Sequence, residues 1–367
     1  MATTSYSSGA RKGRISTRFL INAAVTVFGA LLVYFLVNLL IGGECGGRCV
    51  VGTLAQTVRV ATPIALAAYC AVMCERAGVI NIGIEGQMLT AAMIAYGVNV
   101  YLFDALQRGG MDPMVAGNTS RWVALLAAMA GSALMGMLHA VTSIRFRADQ
   151  VISGTVLNIL AMGLTGYMYR QFLAQNIPPG PGTFPIFDIP LLAHIPIVGE
   201  IFFAGQKPLV YLMLLLTLLL HFVLFYTPWG LRTRAVGEHP QAADTLGIDV
   251  IRVRYANVLL GSMIAGMGGA WFTLEAVDVF NPLMTNGLGF IGIAAMIVGN
   301  WMPFGALFGA LIFGLGTAIQ PLLSMFRPDI PSQFPQMIPY VLTIIVVAGV
   351  IGGVRPPAAE GKPYTKE

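Results

Sequence analysis

The feature that most constrains this chain is a succession of long apolar runs. The first, residues 19–41, extends for 23 residues without a charge. About 20 apolar residues in a helix cross the hydrocarbon core of a bilayer, where every backbone polar group must find its partner inside the structure. Further runs cover 51–74, 77–100, 122–144, 151–169, 209–226 and 255–274, followed by 288–302, 305–323 and 337–354. The expected fold is therefore all-α, a polytopic transmembrane helical bundle of about ten spans.

Composition agrees with a lipid solvent. Hydrophobic residues make up 56% of the 367, and charged residues only 10%, against about a quarter in an ordinary soluble domain. Forty-three glycines and 21 prolines mark close helix approach and helix breaks in such a bundle. The net charge of +5 does not point to nucleic acid, because the basic residues lie between apolar runs instead of forming one stripe. The 19–41 run follows Arg11, Lys12, Arg14 and Arg18. It is too long for a signal peptide and lacks a small-residue cleavage site, so it predicts a retained first helix.

Charge bias sets the orientation. With the N-terminus inside, fourteen Lys and Arg residues fall in inner segments and six in outer loops, with Arg59 inside a span. That bias predicts both termini in the cytoplasm. The expected organisation is a cytoplasmic tail at 1–18, a transmembrane domain at 19–354 and a cytoplasmic tail at 355–367.

Two junctions leave almost no loop between adjacent spans: Glu75-Arg76-Ala77-Gly78 and Gly299-Asn300-Trp301-Met302-Pro303. One lies in each half of the chain. They predict discontinuous helices, the arrangement expected where two halves build a central pathway. Beyond the first junction, Asn81, Glu85 and Gln87 interrupt an apolar run. Polar groups inside a membrane are costly, so Glu85 either lines a pathway or gate or makes a structural hydrogen bond between helices. Asn81, one turn earlier, shares that choice. Phe290 is open to stacking on a base or to simple packing.

The longest inner connection, 228–254, contains Gly237-Glu238-His239-Pro240-Gln241-Ala242-Ala243-Asp244-Thr245-Leu246-Gly247-Ile248. Pro240 suits a first helical turn and Gly247 a C-terminal cap. The segment reads as a short helix outside the membrane, either lying on the bilayer or docking a soluble partner.

Cys45 and Cys49 lie in a Gly-rich loop that could form a disulfide if it faces an oxidising compartment, whereas Cys70 and Cys74 sit one turn apart in an apolar run. His139, His194, His221 and His239 are scattered without metal-ligand spacing. Asn281, Asn286 and Asn300 stand at span ends, as caps or turn residues. No G-x-x-x-x-G-K-[ST] occurs, so no Walker A loop is available to cradle ATP phosphates. No cofactor is expected.

The stretches at 75–86 and 237–248, together with Asp149-Gln150-Val151-Ile152-Ser153-Gly154-Thr155-Val156-Leu157-Asn158, resemble permease subunits of bacterial ABC importers. These belong to the group that serves ribose, branched-chain amino acids and nucleosides, and within it the chain is most similar to the nucleoside type. The resemblance implies a bacterial inner-membrane subunit that is not itself an enzyme. It would pair with a second homologous permease as a heterodimer, be driven by a cytoplasmic ABC ATPase and be fed by an extracytoplasmic substrate-binding protein. It makes 237–248 a coupling helix, with Glu238, Pro240, Ala242, Ala243, Leu246 and Gly247 at the ATPase. The small residues Ala242 and Ala243 permit close approach. The expected substrate pathway comprises Asn81, Glu85, Gln87, Asn158 and Phe290. Alternatives are a permease for a simple sugar such as ribose, an ion-coupled secondary transporter or a membrane-embedded enzyme. The last two would need a titratable cluster or a catalytic constellation that the spans do not supply.

Overall fold

The computed structural model describes residues 47–366, apart from 176, 327–330, 332 and 351–353. The tail at 1–18, the run at 19–41 and Cys45 lie outside the described residues. The regular elements among the described residues are all helices, with one isolated β-bridge between Phe187 and Gln206.

The helices follow the apolar runs. They are α1 (Gly47–Arg76), α2 (Ile84–Arg108), α3 (Pro113–Ala140), α4 (Gln150–Met168), the short α5 (Pro190–Ala193) and α6 (Val198–Phe202), and α7 (Pro208–Tyr226). The second half holds α8 (Pro228–Glu238), α9 (Pro240–Thr245), α10 (Val250–Trp271), α11 (Leu288–Val298), α12 (Pro303–Phe326) and α13 (Gln333–Val350). Single π-helical turns extend α3, α4 and α10. Among the described residues seven helices are long and apolar enough to cross a membrane, and α11 is a shorter apolar helix of 11 residues.

Helix starts have visible causes. The Asp112 side chain accepts from Met114 N and Val115 N, and the Asp149 side chain from Val151 N and Ile152 N. Each supplies an oxygen to N–H groups that have no partner within the helix.

Helix α1 is the centre of the bundle. Its apolar stretch is 89% buried, against 28% for α4 and 33% for α7. It packs against α10, α11 and α12, while α2 packs against α3, α10 and α4. The outward faces of α4, including Ile152, Val156 and Ile159, are exposed and apolar. That is the surface a lipid or a second apolar subunit covers.

Both tight junctions are helix breaks. Helix α1 ends at Arg76 and α2 starts at Ile84, so the first break spans seven non-helical residues and is wider than the four-residue junction expected. Gly78 takes φ 82°. Its N–H donates to Glu75 O at 2.8 Å, and Val79 N–H donates to Cys74 O at 3.0 Å. These are the paired bonds of a Schellman cap, which needs a left-handed residue at the position glycine occupies. The second break repeats the device with Asn300 at φ 52°. Asn300 N–H donates to Ile297 O at 3.0 Å, and Trp301 N–H donates to Met296 O at 3.2 Å.

Candidate functional site

The two breaks are more than 220 residues apart in sequence and are bonded to each other. Trp301 Nε1 donates to Glu75 Oε2 at 2.6 Å, and Arg76 Nε donates to the Trp301 carbonyl at 2.8 Å. A second Arg76 nitrogen reaches the Asn300 carbonyl at 3.3 Å. Glu75 and Trp301 are 3% and 4% exposed. The Glu75 carboxyl group therefore finds its donor inside the protein, as a buried polar group must.

The non-helical strand after Gly78 is held by α3 and α4. Ile80 N–H donates to Gln150 Oε1 at 2.7 Å, and His139 Nε2 lies 2.8 Å from the Ile80 carbonyl. Asn158 is bonded on both sides: its Nδ2 donates to Ile82 O at 3.0 Å, and its Oδ1 accepts from Gly86 N at 2.8 Å. Irregular backbone at membrane depth persists only where neighbouring groups satisfy it in this way.

Glu85 stands in the first turn of α2 and is half-buried. Its carboxylate accepts from Thr285 Oγ1 at 2.6 Å, Gly287 N at 2.8 Å and Gly289 N at 2.8 Å. Those amides open α11, so the carboxylate faces the positive ends of two helices, its own and α11. Phe290, adjacent to this seat, is 45% exposed. Asn81 and Gln87, by contrast, are 1% and 0% exposed. Their side chains approach each other at 3.4 Å, with Asn81 Nδ2 at 3.7 Å from each sulfur of Cys70 and Cys74. Of the five residues expected to line a pathway, Glu85 and Phe290 lie together at an accessible position. Asn81, Gln87 and Asn158 hold the first break inside this chain. Among the described residues no group of three or more His, Cys, Asp or Glu could hold a metal ion.

The connection between α7 and α10 differs from a single short helix on a loop. Helix α8 occupies its first part, and α10 begins at Val250, so Arg252 and Arg254 are helical. Between them α9 carries the expected Gly247 cap. Gly247 takes φ 81°, its N–H donates to Asp244 O at 2.8 Å, and Ile248 N–H donates to Ala243 O at 3.1 Å. Ala242 is exposed and Leu246 is 82% exposed, whereas Ala243 is 2% exposed among Val236, Val250, Val253 and Tyr364. The expectation that both alanines share a docking face is corrected here. Adjacent helical residues point about 100° apart, whereas 242 and 246, four apart, share a face. Pro240 is buried and Glu238 exposed, and Glu238 Oε2 accepts from Ala358 N at 3.3 Å.

Sequence reasoning missed three participants: Trp301 as the partner of Glu75, Arg254 at 2% exposure, and the C-terminal residues that cover it. Arg252 and Arg254 look alike in the sequence, yet Arg252 is exposed and paired with Asp249 at 3.0 Å. The two-residue spacing on a helix was the available signal that they point different ways.

Residues 53–351 match the family described as branched-chain amino acid transport system / permease component. The guanosine ABC transporter permease protein NupQ of Bacillus subtilis (strain 168) is 39% identical over 314 residues, covering 84% of this chain and 95% of that protein. The nucleoside ABC transporter permease protein NupC of Lactococcus lactis subsp. cremoris (strain MG1363) is 39% identical over 307 residues, 83% of this chain and 94% of that protein. A further guanosine ABC transporter permease protein of the same Bacillus, NupP, is 24% identical over 298 residues and covers 80% of each chain.

Proposed function

The chain belongs to the family of branched-chain amino acid transport system permease components, and from that premise we propose that it is the nucleoside-translocating subunit of an ATP-driven importer in the bacterial inner membrane. The cargo is suggested by NupQ and NupC, permeases named for guanosine and nucleosides. The energy source is a separate cytoplasmic ATPase, in keeping with a sequence that contains no Walker A loop. NupQ and NupP are two guanosine permease proteins of one organism. Their coexistence favours a second, homologous permease beside this chain, with an external binding protein to deliver the solute.

The observation that carries the reading is α9. It is a capped helix whose Ala242 and Leu246 stand open on the connection between two spans. A rigid element with an exposed apolar tip is suited to a groove in a soluble subunit and can pass that subunit's closure to α7 and α10. Movement there reaches the breaks, and alternating access follows when the α2–α11 seat around Glu85 opens to one side and then the other.

The test is uptake of labelled guanosine by cells with the gene deleted and then restored. Restored uptake, displaced by unlabelled nucleosides but not by ribose or leucine, is the expected result. Uptake displaced by ribose or leucine alone would reassign the cargo.

A further inference from the structure

Segment 354–366 follows the last helix without forming one, yet it is densely bonded. Ala359 N–H donates to the Gly237 carbonyl at 2.9 Å, at the end of α8, and Gly361 N–H donates to the Gly78 carbonyl at 3.2 Å, in the first break. Arg355 N–H donates to Asn300 Oδ1 at 3.2 Å in the second break, and Ala358 N–H donates to Glu238 Oε2. Arg254 Nη1, from α10, donates to the Lys362 carbonyl at 3.0 Å. One short segment thus bridges both breaks, α8 and α10. Gly237 lets the chains converge, since a Cβ there would collide with the Arg76 carbonyl. Pro357, Ala359 and Tyr364 are buried, Tyr364 among Val236, Ala243, Val250 and Val253.

The seat opposes its own occupation. Arg254 is 2% exposed, and its Nε and Nη2 have no hydrogen-bond partner among the described residues. A guanidinium held away from water by one hydrogen bond is unfavourable relative to its hydrated state. Burial also pushes the Glu360 carboxyl above its ordinary pKa, with its hydrogen bond to Glu75 acting the other way. Tyr364 burial and the backbone bonds favour docking, whereas rehydration of Arg254 favours release.

We infer that segment 354–366 is a strap that, when docked, makes the two breaks and the α8–α9 connection move as one body and, when released, lets them separate. Its effect on transport rests on the reading of α9 as the ATPase-docking helix; the docking of the strap itself does not.

Hydrogen–deuterium exchange on the purified full chain tests the strap. Tyr364→Ala should speed exchange at 354–366 by roughly tenfold or more and carry 78–83 and 237–247 with it. Arg254→Met removes the buried charge and leaves the exposed Lys362 carbonyl to water, so exchange in the same segments should slow by a similar factor. Faster exchange confined to 354–366 in Tyr364→Ala overturns the proposal. So does exchange in Arg254→Met that is no slower than in the wild type, a result that stands even if Tyr364→Ala does not fold. In cells, Tyr364→Ala should keep wild-type ATPase recovery while uptake falls severalfold, and undiminished uptake would remove the transport role. The docking reading is tested separately by Leu246→Asp, which leaves the strap intact.

Discussion

At the scale of single residues, chemistry is concentrated where backbone regularity fails. Glu85 is the clearest case, because its carboxylate satisfies a hydroxyl and two amides that open α11. Removing one partner of a buried bonding group costs about 1–3 kcal/mol. Glu85→Ala should therefore lower the thermal stability of the purified chain by roughly that amount and impair uptake, while membrane insertion, which loss of a charge favours, is kept. Wild-type melting and wild-type uptake at equal expression would reduce Glu85 to an incidental surface group. The sequence marked Glu85 as costly but could not name its acceptor role, since Thr285, Gly287 and Gly289 lie about 200 residues away. The same distance hid Trp301 from Glu75.

At the scale of elements, the helix ends were the legible part and the helix faces were not. Short junctions rich in Gly and Asn predicted both breaks, and Pro240 with Gly247 predicted α9, because capping is local chemistry. Asn300 should accordingly tolerate glycine, whereas Asn300→Val forces a β-branched residue into a left-handed conformation, at a cost of about 1–2 kcal/mol. Differential scanning calorimetry of the two variants checks this, and equal melting temperatures would contradict the cap assignment. Which alanine of α9 faces outward depended on packing with Tyr364, far along the chain. Ala243→Trp should consequently destabilise the fold by overpacking, about 1–3 kcal/mol. Ala242→Trp should leave melting unchanged and lower ATPase co-purification. The reverse pattern would mean that α9 presents its other face.

At the scale of the whole molecule, one central helix, α1, has its end tied to a matching break in the second half, with a capped connection close by. Apolar run length made the bundle legible, since hydrocarbon thickness dictates helix length whatever the neighbours. The strap was invisible for the opposite reason: 354–366 has no periodicity, and it is held by long-range bonds to its backbone and by the burial of Tyr364, which no local residue pattern encodes. In the proposed function this chain moves nucleosides under the drive of a separate ATPase docked at α9. The most direct measurement is labelled guanosine accumulation in liposomes containing this chain, its partner permease, the ATPase and the binding protein. Accumulation that requires ATP and falls at least tenfold with Leu246→Asp is the predicted result. Accumulation without ATP, or undiminished in Leu246→Asp, would contradict it.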